Sequence, residues 1–299
     1  MEIRHIHYFI AVAENLNITR AAQQLKIAQP PLSRQIRDLE KELGASLFER
    51  SPQGLRLTPA GNTFLEYARQ IMDLVARSKE HIAEMAEGLQ GTIYIASVEG
   101  HAPRLLSGWI SSFKAGYSHV QYSIWNGSTD DVIYRVTNSL SEIGIITEPH
   151  NDEGLFSIPV YKEPWTAMIP SSDPLAQLPG DTISVLALKD RDLIIPSRES
   201  RLMEIRKWFP EENVDLKIRC RVAHMLNAYE LTKQGVGIAI YPASDNHFSD
   251  DPAVTIKRIV NPEVSASYIL IWDRTRRLTH AAELFIRSIC DSMDIQMPS

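Results

Sequence analysis

Apolar residues recur at helical spacing in three successive segments at the start of the chain. The spacing predicts a first helix over 3–15, a second helix that follows the N-cap residue Asn17, and a third helix that ends at Leu43. A turn of about three residues, 26–28, separates the second helix from the third. Three short helices with one tight turn predict a helix-turn-helix unit.

Two consecutive prolines, Pro30 and Pro31, stand at the head of the third helix. In the interior of a helix a proline costs roughly 3 kcal/mol, because it removes a backbone donor and clashes with the preceding turn. In the first turn, however, the backbone N–H groups have no partner within the helix, and the fixed φ of about −65° suits the entry. We therefore expect the prolines to begin this helix.

A small hairpin and a long helix are predicted next. The runs LFER and LRLT lie on either side of a Ser-Pro-Gln-Gly turn, a pattern typical of a β-hairpin or wing. Thr58 and Pro59 then provide an N-cap and a first helical residue, and the pattern stays helical for about thirty residues. The apolar positions of this helix follow the steps of a coiled-coil seam, from which we infer dimerisation. These positions are Phe64, Ala68, Ile71, Val75, Ile82 and Met85.

From residue 92 onward, short apolar strands alternate with helices. This alternation implies mostly parallel sheets covered by helices, and therefore an α/β fold. The pattern occurs in two blocks joined at 158–165 and again at 267–272, which predicts two lobes with two crossings. The expected domains are a head at 1–58, a linker and dimerisation helix at 59–88, and a domain at 92–299, with lobe I at about 92–161 and 267–299 and lobe II at about 162–266.

Charge and composition narrow the functional classes. The net charge is −6, but the first sixty residues carry eight Lys and Arg against six Asp and Glu, so any nucleic acid is expected to bind the head. No segment approaches the roughly 18 consecutive apolar residues of a membrane span, so we expect a cytoplasmic protein without membrane contact. Only two cysteines occur, Cys220 and Cys290, far apart and in no metal-ligand spacing, so we expect no disulfide framework.

The third helix carries polar residues on the face opposite its leucine stripe. Glutamine can pair with adenine, arginine with guanine or phosphate, and serine with bases or backbone, so this face is suited to DNA. An ordinary solvated helix face has a similar composition, and the neighbouring helix, turn and wing are what favour DNA. The residues of this face are Gln29, Ser33, Arg34 and Arg37.

The stretch AVAENLNITRAAQQLKIAQPPLSRQIRDLEKELGASLFERSPQGLRLTPAG resembles the amino-terminal signature of the LysR-type transcriptional regulators. Its AQPPLSRQI segment is similar to that of members that govern aromatic-acid catabolism. The resemblance is nearly continuous from about Ile6 to Gly61, and beyond Thr92 it includes the strand order and the text QGVGIAIYP. It implies a winged helix-turn-helix, a dimerising linker helix, and a two-lobed α/β effector domain similar to periplasmic binding proteins.

The resemblance also implies partners and DNA-contacting residues. The partners are double-stranded DNA with an interrupted inverted repeat, a small-molecule effector, and further copies of the chain in a homodimer and a homotetramer. No cofactor or metal is expected. The implied DNA-contacting residues are Gln29, Pro30, Pro31, Ser33 and Arg34 on the recognition helix, with Arg37 beside them, and Arg50 and Gln53 at the wing.

Members of this family bind a small effector in the cleft between the lobes. Two arginines, two histidines and two helix N-termini around the expected cleft favour an anionic effector such as a carboxylate. Glu99 would oppose an anion, so an amino acid or another ligand of mixed charge stays open. The expected lining residues are Ser97, Glu99, Gly100, His101, Gly127, Ser128, Thr129 and Thr147 from lobe I, and Pro196, Ser197, Arg198, Arg201, His224 and Met225 from lobe II.

Two other functions compete with effector sensing. An enzyme is the first, since two-lobed α/β domains can host catalysis, but the sequence has no GxSxG, GxGxxG, P-loop or HExxH motif. His5 and His7 lie two residues apart on a predicted helix and make a poor metal pair. A cysteine-based redox regulator is the second, but Cys220 and Cys290 lack the short-range partner that such a switch uses. The sequence therefore predicts a regulator rather than an enzyme.

Overall fold

The computed structural model describes residues 1–51, 54–87, 91–151, 153–210, 214–243 and 251–298. The chain divides into two compact units, Met1–Gly88 and Leu89–Ser299. Among the described residues, no helix combines the length and apolar character needed to cross a bilayer. The elements of the first unit are α1 Ile3–Asn15, α2 Ile18–Gln24, α3 Gln29–Leu43, β1 Phe48–Ser51, β2 Gly54–Leu57 and α4 Pro59–Glu87.

The ends of α2 and α3 follow from local sequence chemistry. The Asn17 side chain accepts hydrogen bonds from the backbone N–H groups of Thr19 and Arg20 at the start of α2. Helix α3 begins with its prolines in the first turn, so that prediction is confirmed. It ends at Gly44, whose φ of 67° lies in the left-handed region that glycine adopts without strain.

The core of the first unit also includes the start of α4. Phe9 of α1 is fully buried, and its ring centroid lies 4.8 Å from that of Phe64 of α4. Ala68 is fully buried in the same core, and Ile71 packs against it. The predicted coiled-coil seam is therefore wrong for Ala68, because that side chain is covered by its own unit.

The remaining seam positions have different surroundings. Val75 is half-buried, and the side chains of Ile82 and Met85 lie outside the described part of the structure. Helix α4 also exposes two large apolar side chains, Tyr67 at 55% and Leu74 at 45%. These two residues are seven apart, so they lie on one face of the helix.

The second unit alternates strands and helices. Short 3-10 helices at Pro174–Gln177 and Val185–Leu188 connect its strands in the second lobe. The elements are β3 Gly91–Ser97, α5 Ala102–Gly116, β4 Val120–Asn126, α6 Thr129–Thr137, β5 Ile143–Thr147, β6 Leu155–Pro170, β7 Thr182–Ser184, β8 Leu193–Pro196, α7 Glu199–Arg206, β9 Ile218–Val222, α8 Met225–Lys233, β10 Ile238–Pro242, β11 Val254–Val260, β12 Ser265–Asp273 and α9 His280–Ser292.

Each lobe contains a mixed sheet. In lobe I, β3 pairs in parallel with β4 and β5, while β12 is antiparallel to β5 and β6. In lobe II, β8 pairs in parallel with β9 and β10, while β6 is antiparallel to β10 and β11. Separate hydrophobic clusters fill the two lobes, with Tyr268 and Phe285 in the first and Trp165 and Trp208 in the second.

Strand β6 runs through both lobes without a break. Its first part pairs with β12 as far as Pro164, and its second part pairs with β10 from Trp165 onward. The other crossing is the short connection 261–264 between β11 and β12. The strand pairings therefore extend lobe I as far as Pro164, somewhat beyond the end at about residue 161 that the sequence predicts.

Candidate functional site

The polar face of α3 is open to solvent. Its opposite stripe, Leu32, Ile36 and Leu39, is buried in the core of the first unit, which fixes the orientation of the helix. The predicted DNA-contacting residues of α3 lie on or beside the open face, with Ser33 half-buried and the others exposed. The exposed ones are Gln29, Pro30, Pro31, Arg34 and Arg37.

The two arginines of this face make only weak contacts within the helix. The Arg34 side chain is 79% exposed, and its Nε lies 4.0 Å from a carboxylate oxygen of Asp38. The Nε of Arg37 donates to the carbonyl oxygen of Ser33 at 3.3 Å. Exposed pairs of this kind contribute little to stability, so both guanidinium groups can exchange these partners for phosphate or bases.

The wing is a two-stranded antiparallel hairpin. Arg50 lies in β1, where its partner across the ladder is Leu55 of β2. Gln53, the other predicted wing contact, lies outside the described residues. The structure therefore places Arg50 on the hairpin but gives no position for Gln53.

A cleft with a volume of about 370 Å³ lies between the two lobes of the second unit. The carboxyl ends of β3, β4 and β5 form one wall, and the segments that follow β8 and β9 form the other. Most of the predicted effector residues line it. They are Glu99, Gly100, Gly127, Ser128, Thr129, Thr147, Pro196, Ser197, Arg198, Arg201, His224 and Met225.

Two of the predicted residues, Ser97 and His101, are not among the residues that line the cleft. Ser97 is fully buried in the centre of the sheet, where its hydroxyl accepts a hydrogen bond from Asn126 Nδ2 at 3.0 Å. His101 precedes α5, and its ring stacks on Tyr161 with 3.8 Å between centroids. These contacts hold both side chains behind the wall of the cleft.

Two side-chain contacts to carboxylates join the lobes across the cleft. His224 Nδ1 of lobe II lies 2.6 Å from Glu99 Oε1 of lobe I. Arg198 of lobe II donates to both carboxylate oxygens of Asp130 at 2.7 and 3.0 Å, and to the carbonyl oxygen of Pro149 at 2.8 Å. The sequence suggested Arg198 and His224 as direct ligands of an anion, whereas in this structure each is already paired with a carboxylate of the other lobe.

The N-terminus of α6 is also capped by the protein itself. The Ser128 hydroxyl accepts from the Asp131 N–H at 3.2 Å, and the Asp131 carboxylate accepts from the Ser128 N–H at 3.0 Å. Beside this capping box, the hydroxyl oxygens of Thr129 and Thr147 lie 3.3 Å apart. Because Asp131 occupies this helix end, the helix N-terminus is less suited to bind a ligand than the sequence suggests.

Arg201 is the buried cation of the cleft, at 5% exposure. Its Nη1 donates to Glu204 Oε2 at 2.6 Å, and the centre of its guanidinium lies 5.2 Å from the Trp165 ring centroid. Burial lowers the pKa of the guanidinium, and Glu204 opposes part of that decrease. A buried cation held in this way can interact strongly with an anionic group, because little water screens it.

Sequence reasoning missed the aromatic part of the cleft. Trp165 of β6 and Tyr268 of β12 lie beside the strand crossings, and the predicted positions of those crossings were the signal that could have indicated them. Burial raises the pKa of Tyr241 well above its usual range, and its hydroxyl donates to the Val222 carbonyl at 2.9 Å. The lining residues that were missed are Val98, Trp125, Asn126, Asp131, Trp165, Ala223, Tyr241, Pro242 and Tyr268.

Two family models match the chain. The model of the bacterial regulatory helix-turn-helix protein of the lysR family matches residues 3–62. The model of the LysR substrate binding domain matches residues 86–294, which is more than half of the chain. The chain belongs to the LysR family.

Relatives of this LysR-family protein match it over nearly its whole length. The HTH-type transcriptional regulator YnfL of Escherichia coli (strain K12) is 30% identical over 288 residues, which cover 95% of this chain and 96% of YnfL. The crystal structure of CbnR, a LysR family transcriptional regulator, has a TM-score of 0.79 at 26% identity and covers 98% of this chain and 99% of CbnR. Full-length CbnR complexed with its target DNA has a TM-score of 0.78 at 26% identity, with 98% and 100% coverage.

This LysR-family protein is a DNA-binding transcriptional regulator with a substrate-binding domain. The family, the fold class and the choice of a regulator over an enzyme, all predicted from the sequence, are confirmed. The likeness to regulators of aromatic-acid catabolism stays a prediction, as does the cytoplasmic location.

Two features of the described residues bear on the alternative functions, a cysteine-based redox regulator and an enzyme with a metal site, and neither feature supports them. Cys220 lies on β9 of lobe II and Cys290 on α9 of lobe I, and they pack in different hydrophobic clusters. Burial raises the pKa of the Cys290 thiol, which makes it less reactive. Within the described ranges, no group of three or more His, Cys, Asp or Glu residues could hold a metal ion.

Proposed function

We propose that this LysR-family regulator reads its operator with the exposed face of α3, and that a small anionic effector in the inter-lobe cleft modulates that activity. The observation that carries the first part is the separation of the two faces of α3. The leucine stripe is buried, which holds the polar face outward. An exposed helix of this kind fits the major groove, where glutamine and arginine side chains distinguish bases.

Individual residues of α3 support different kinds of contact. Gln29 is suited to an adenine edge, and Arg34 to guanine or phosphate. Pro30 is exposed in the first turn, where its rigid apolar ring is suited to a thymine methyl group. In the wing, Arg50 and Gln53 are proposed to contact the backbone or the minor groove.

Arg34→Ala is expected to weaken binding to DNA fragments selected by the wild-type protein by about 1 to 3 kcal/mol, with relaxed preference at one base position. The reason is the loss of a base contact in addition to a charge. Fluorescence anisotropy at fixed salt concentration measures both effects. Arg287→Ala removes an exposed arginine of α9, which also pairs with a carboxylate four residues away on its helix but lies outside the head, and is expected to leave binding unchanged. Wild-type affinity and base preference in Arg34→Ala would argue against this role for the residue.

An operator with an interrupted inverted repeat requires two heads, so we also propose that the regulator acts as a homodimer. The exposed Tyr67 and Leu74 of α4 support this proposal, since a helix that exposes large apolar residues at a seven-residue interval is suited to pairing with a second copy. A two-fold symmetric pair of heads matches the symmetry of an inverted repeat. The homotetramer is proposed from the family resemblance.

The effector proposal is supported by the way the cleft joins the two lobes. Its lining includes residues from both lobes, and side-chain contacts to carboxylates connect the lobes at 2.6 and 2.7 Å. A ligand that contacts both lobes stabilises one arrangement of them over others, and only this difference in affinity can shift the regulator between states. Arg201 favours an anion, while Glu99 leaves room for an amino acid that carries both charges.

A thermal-shift screen of small carboxylates and amino acids is expected to find ligands that stabilise the regulator. At a ligand concentration of 100 Kd the stabilisation amounts to about 2.7 kcal/mol. Arg201→Gln is expected to abolish most of this stabilisation, because it removes the buried cation. Arg221→Gln makes the same change at a more exposed arginine of lobe II and should keep the full response. Stabilisation by cationic or neutral compounds alone would contradict an anionic effector.

A further inference from the structure

Trp165 lies at the floor of the cleft, where β6 passes from lobe I into lobe II. The side chain is fully buried, and the residue is among those that line the cleft. Its backbone N–H donates to the carbonyl oxygen of Val264 at 3.1 Å, on the other chain segment that connects the lobes. Trp165 is therefore fixed to both crossings, and it is also one of the residues that line the ligand cavity.

The indole nitrogen of Trp165 has no hydrogen-bond partner in the described part of the chain, although it is buried. An indole N–H can only donate, and buried tryptophans normally find an acceptor for it. A buried donor without an acceptor is unfavourable, so such a group calls for a partner from outside the protein. The ligand cavity beside the ring is where that partner can bind.

Neighbouring side chains hold the Trp165 ring in place. The ring of Trp208 meets it edge-on at 66°, with 5.1 Å between centroids. The Arg201 guanidinium lies 5.2 Å from its centroid and is in turn held by Glu204 at 2.6 Å. The indole ring and the guanidinium are thus both held in place before any ligand arrives, which lowers the entropic cost of binding.

We infer that the Trp165 indole N–H and the Arg201 guanidinium together bind the carboxylate of the effector. This inference rests on the proposed anionic effector and adds the residue that accompanies the arginine. A carboxylate accepts hydrogen bonds at both oxygens and can satisfy two donors, whereas a primary amide offers one acceptor and turns an N–H₂ toward them. The site therefore selects carboxylates over the corresponding amides.

The same geometry favours ligands with a single carboxylate. Arg198 and His224 already bind Asp130 and Glu99, so a second carboxylate would have to replace one of these partners. The rest of the ligand faces largely apolar groups, among them Val98, which lines the cleft. A monocarboxylate with a compact apolar body fits these surroundings.

The test uses the full-length regulator and matched probes, namely benzoate, cyclohexanecarboxylate and hexanoate with their primary amides. The chain contains five tryptophans, so ¹⁵N-tryptophan labelling gives a simple indole spectrum. We expect the Trp165 indole proton to move downfield when a carboxylate is added and to stay in place with its amide. We expect Trp165→Phe to bind the same carboxylate about 10- to 100-fold more weakly, as befits a lost hydrogen bond to a charged group.

Trp109→Phe is the matched control, because it removes the indole N–H of a tryptophan on α5 that is not among the residues lining the cleft. It is expected to bind the carboxylate as the wild type does. If Trp165→Phe does not fold, the wild-type titration decides, with Trp165 assigned by elimination through Phe variants of the other tryptophans.

The outcomes separate the two proposals. Carboxylate binding with an unchanged Trp165 signal, equal affinity in Trp165→Phe, or equal affinity for the amides would overturn the role of Trp165 while the anionic effector stands. If no carboxylate of the panel or of the wider thermal-shift screen binds the wild-type protein, both proposals fail.

Discussion

Gly61→Ala is expected to destabilise the DNA-binding head by about 3 kcal/mol, the upper end of the usual range for overpacking a core. A Cβ at this buried position of α4 would overlap the carbonyl oxygen of Leu47 and lie 3.0 Å from the Leu57 side chain. The obstacle is backbone, which cannot rotate away. That carbonyl oxygen also accepts a hydrogen bond from the Thr58 N–H at 3.0 Å, so displacing it breaks a second contact.

Urea denaturation followed by circular dichroism measures this loss, and operator binding should weaken as the head unfolds. Gly108→Ala is the control, because Gly108 also lies within a helix but has open space where a Cβ would be. That change should stabilise the protein by about 0.5 to 1 kcal/mol, since alanine favours helices over glycine. Equal effects of the two substitutions would show that the contact with Leu47 is unimportant.

Tyr268→Phe is expected to destabilise the effector-binding unit by about 1.5 to 3 kcal/mol, the range for hydrogen bonds to charged groups. The Tyr268 hydroxyl donates to the buried carboxylate of Glu163 at 2.6 Å and accepts from the backbone N–H of His101 at 3.0 Å. These contacts join β12, β6 and the start of α5. The phenylalanine removes both hydrogen bonds and leaves the packing almost unchanged.

Thermal denaturation of the unliganded protein tests this expectation. Tyr161→Phe is a close control, since Tyr161 stacks on His101 but is 38% exposed. Its stability should stay within about 0.5 kcal/mol of the wild type, as for most exposed substitutions. A similar loss in both variants would mean that the hydroxyl of Tyr268 has no particular role.

The sequence predicts elements well where the signals are local. The bounds of α1 follow from amphipathic spacing, and the start of α3 follows from its prolines. Strand β6 was not predicted as one strand, because Pro159 and Pro164 interrupt its pattern. Its pairing with β12 comes from residues about a hundred positions away, which local periodicity does not report.

In the cleft, too, local sequence signals could be interpreted, whereas contacts between distant residues could not. Residues at the ends of β3, β4 and β5 could be named from strand order, because parallel strands of one sheet end at a common edge. The partners of those residues could not be named, since Asp130 and Arg198 are 68 residues apart and Glu99 and His224 are 125 apart. The sequence suggested that Arg198 and His224 bind an anion, whereas folding pairs each of them with a carboxylate of the other lobe.

The two strand connections between the lobes restrict how the effector-binding unit can move. One is the continuous β6 at Pro164 and Trp165, and the other is the segment 261–264. Two short connections that lie side by side are suited to a hinge rotation of one lobe relative to the other, and they resist a sliding motion. We therefore expect the width of the cleft to vary through the angle between the lobes, and effectors of different size to favour different angles.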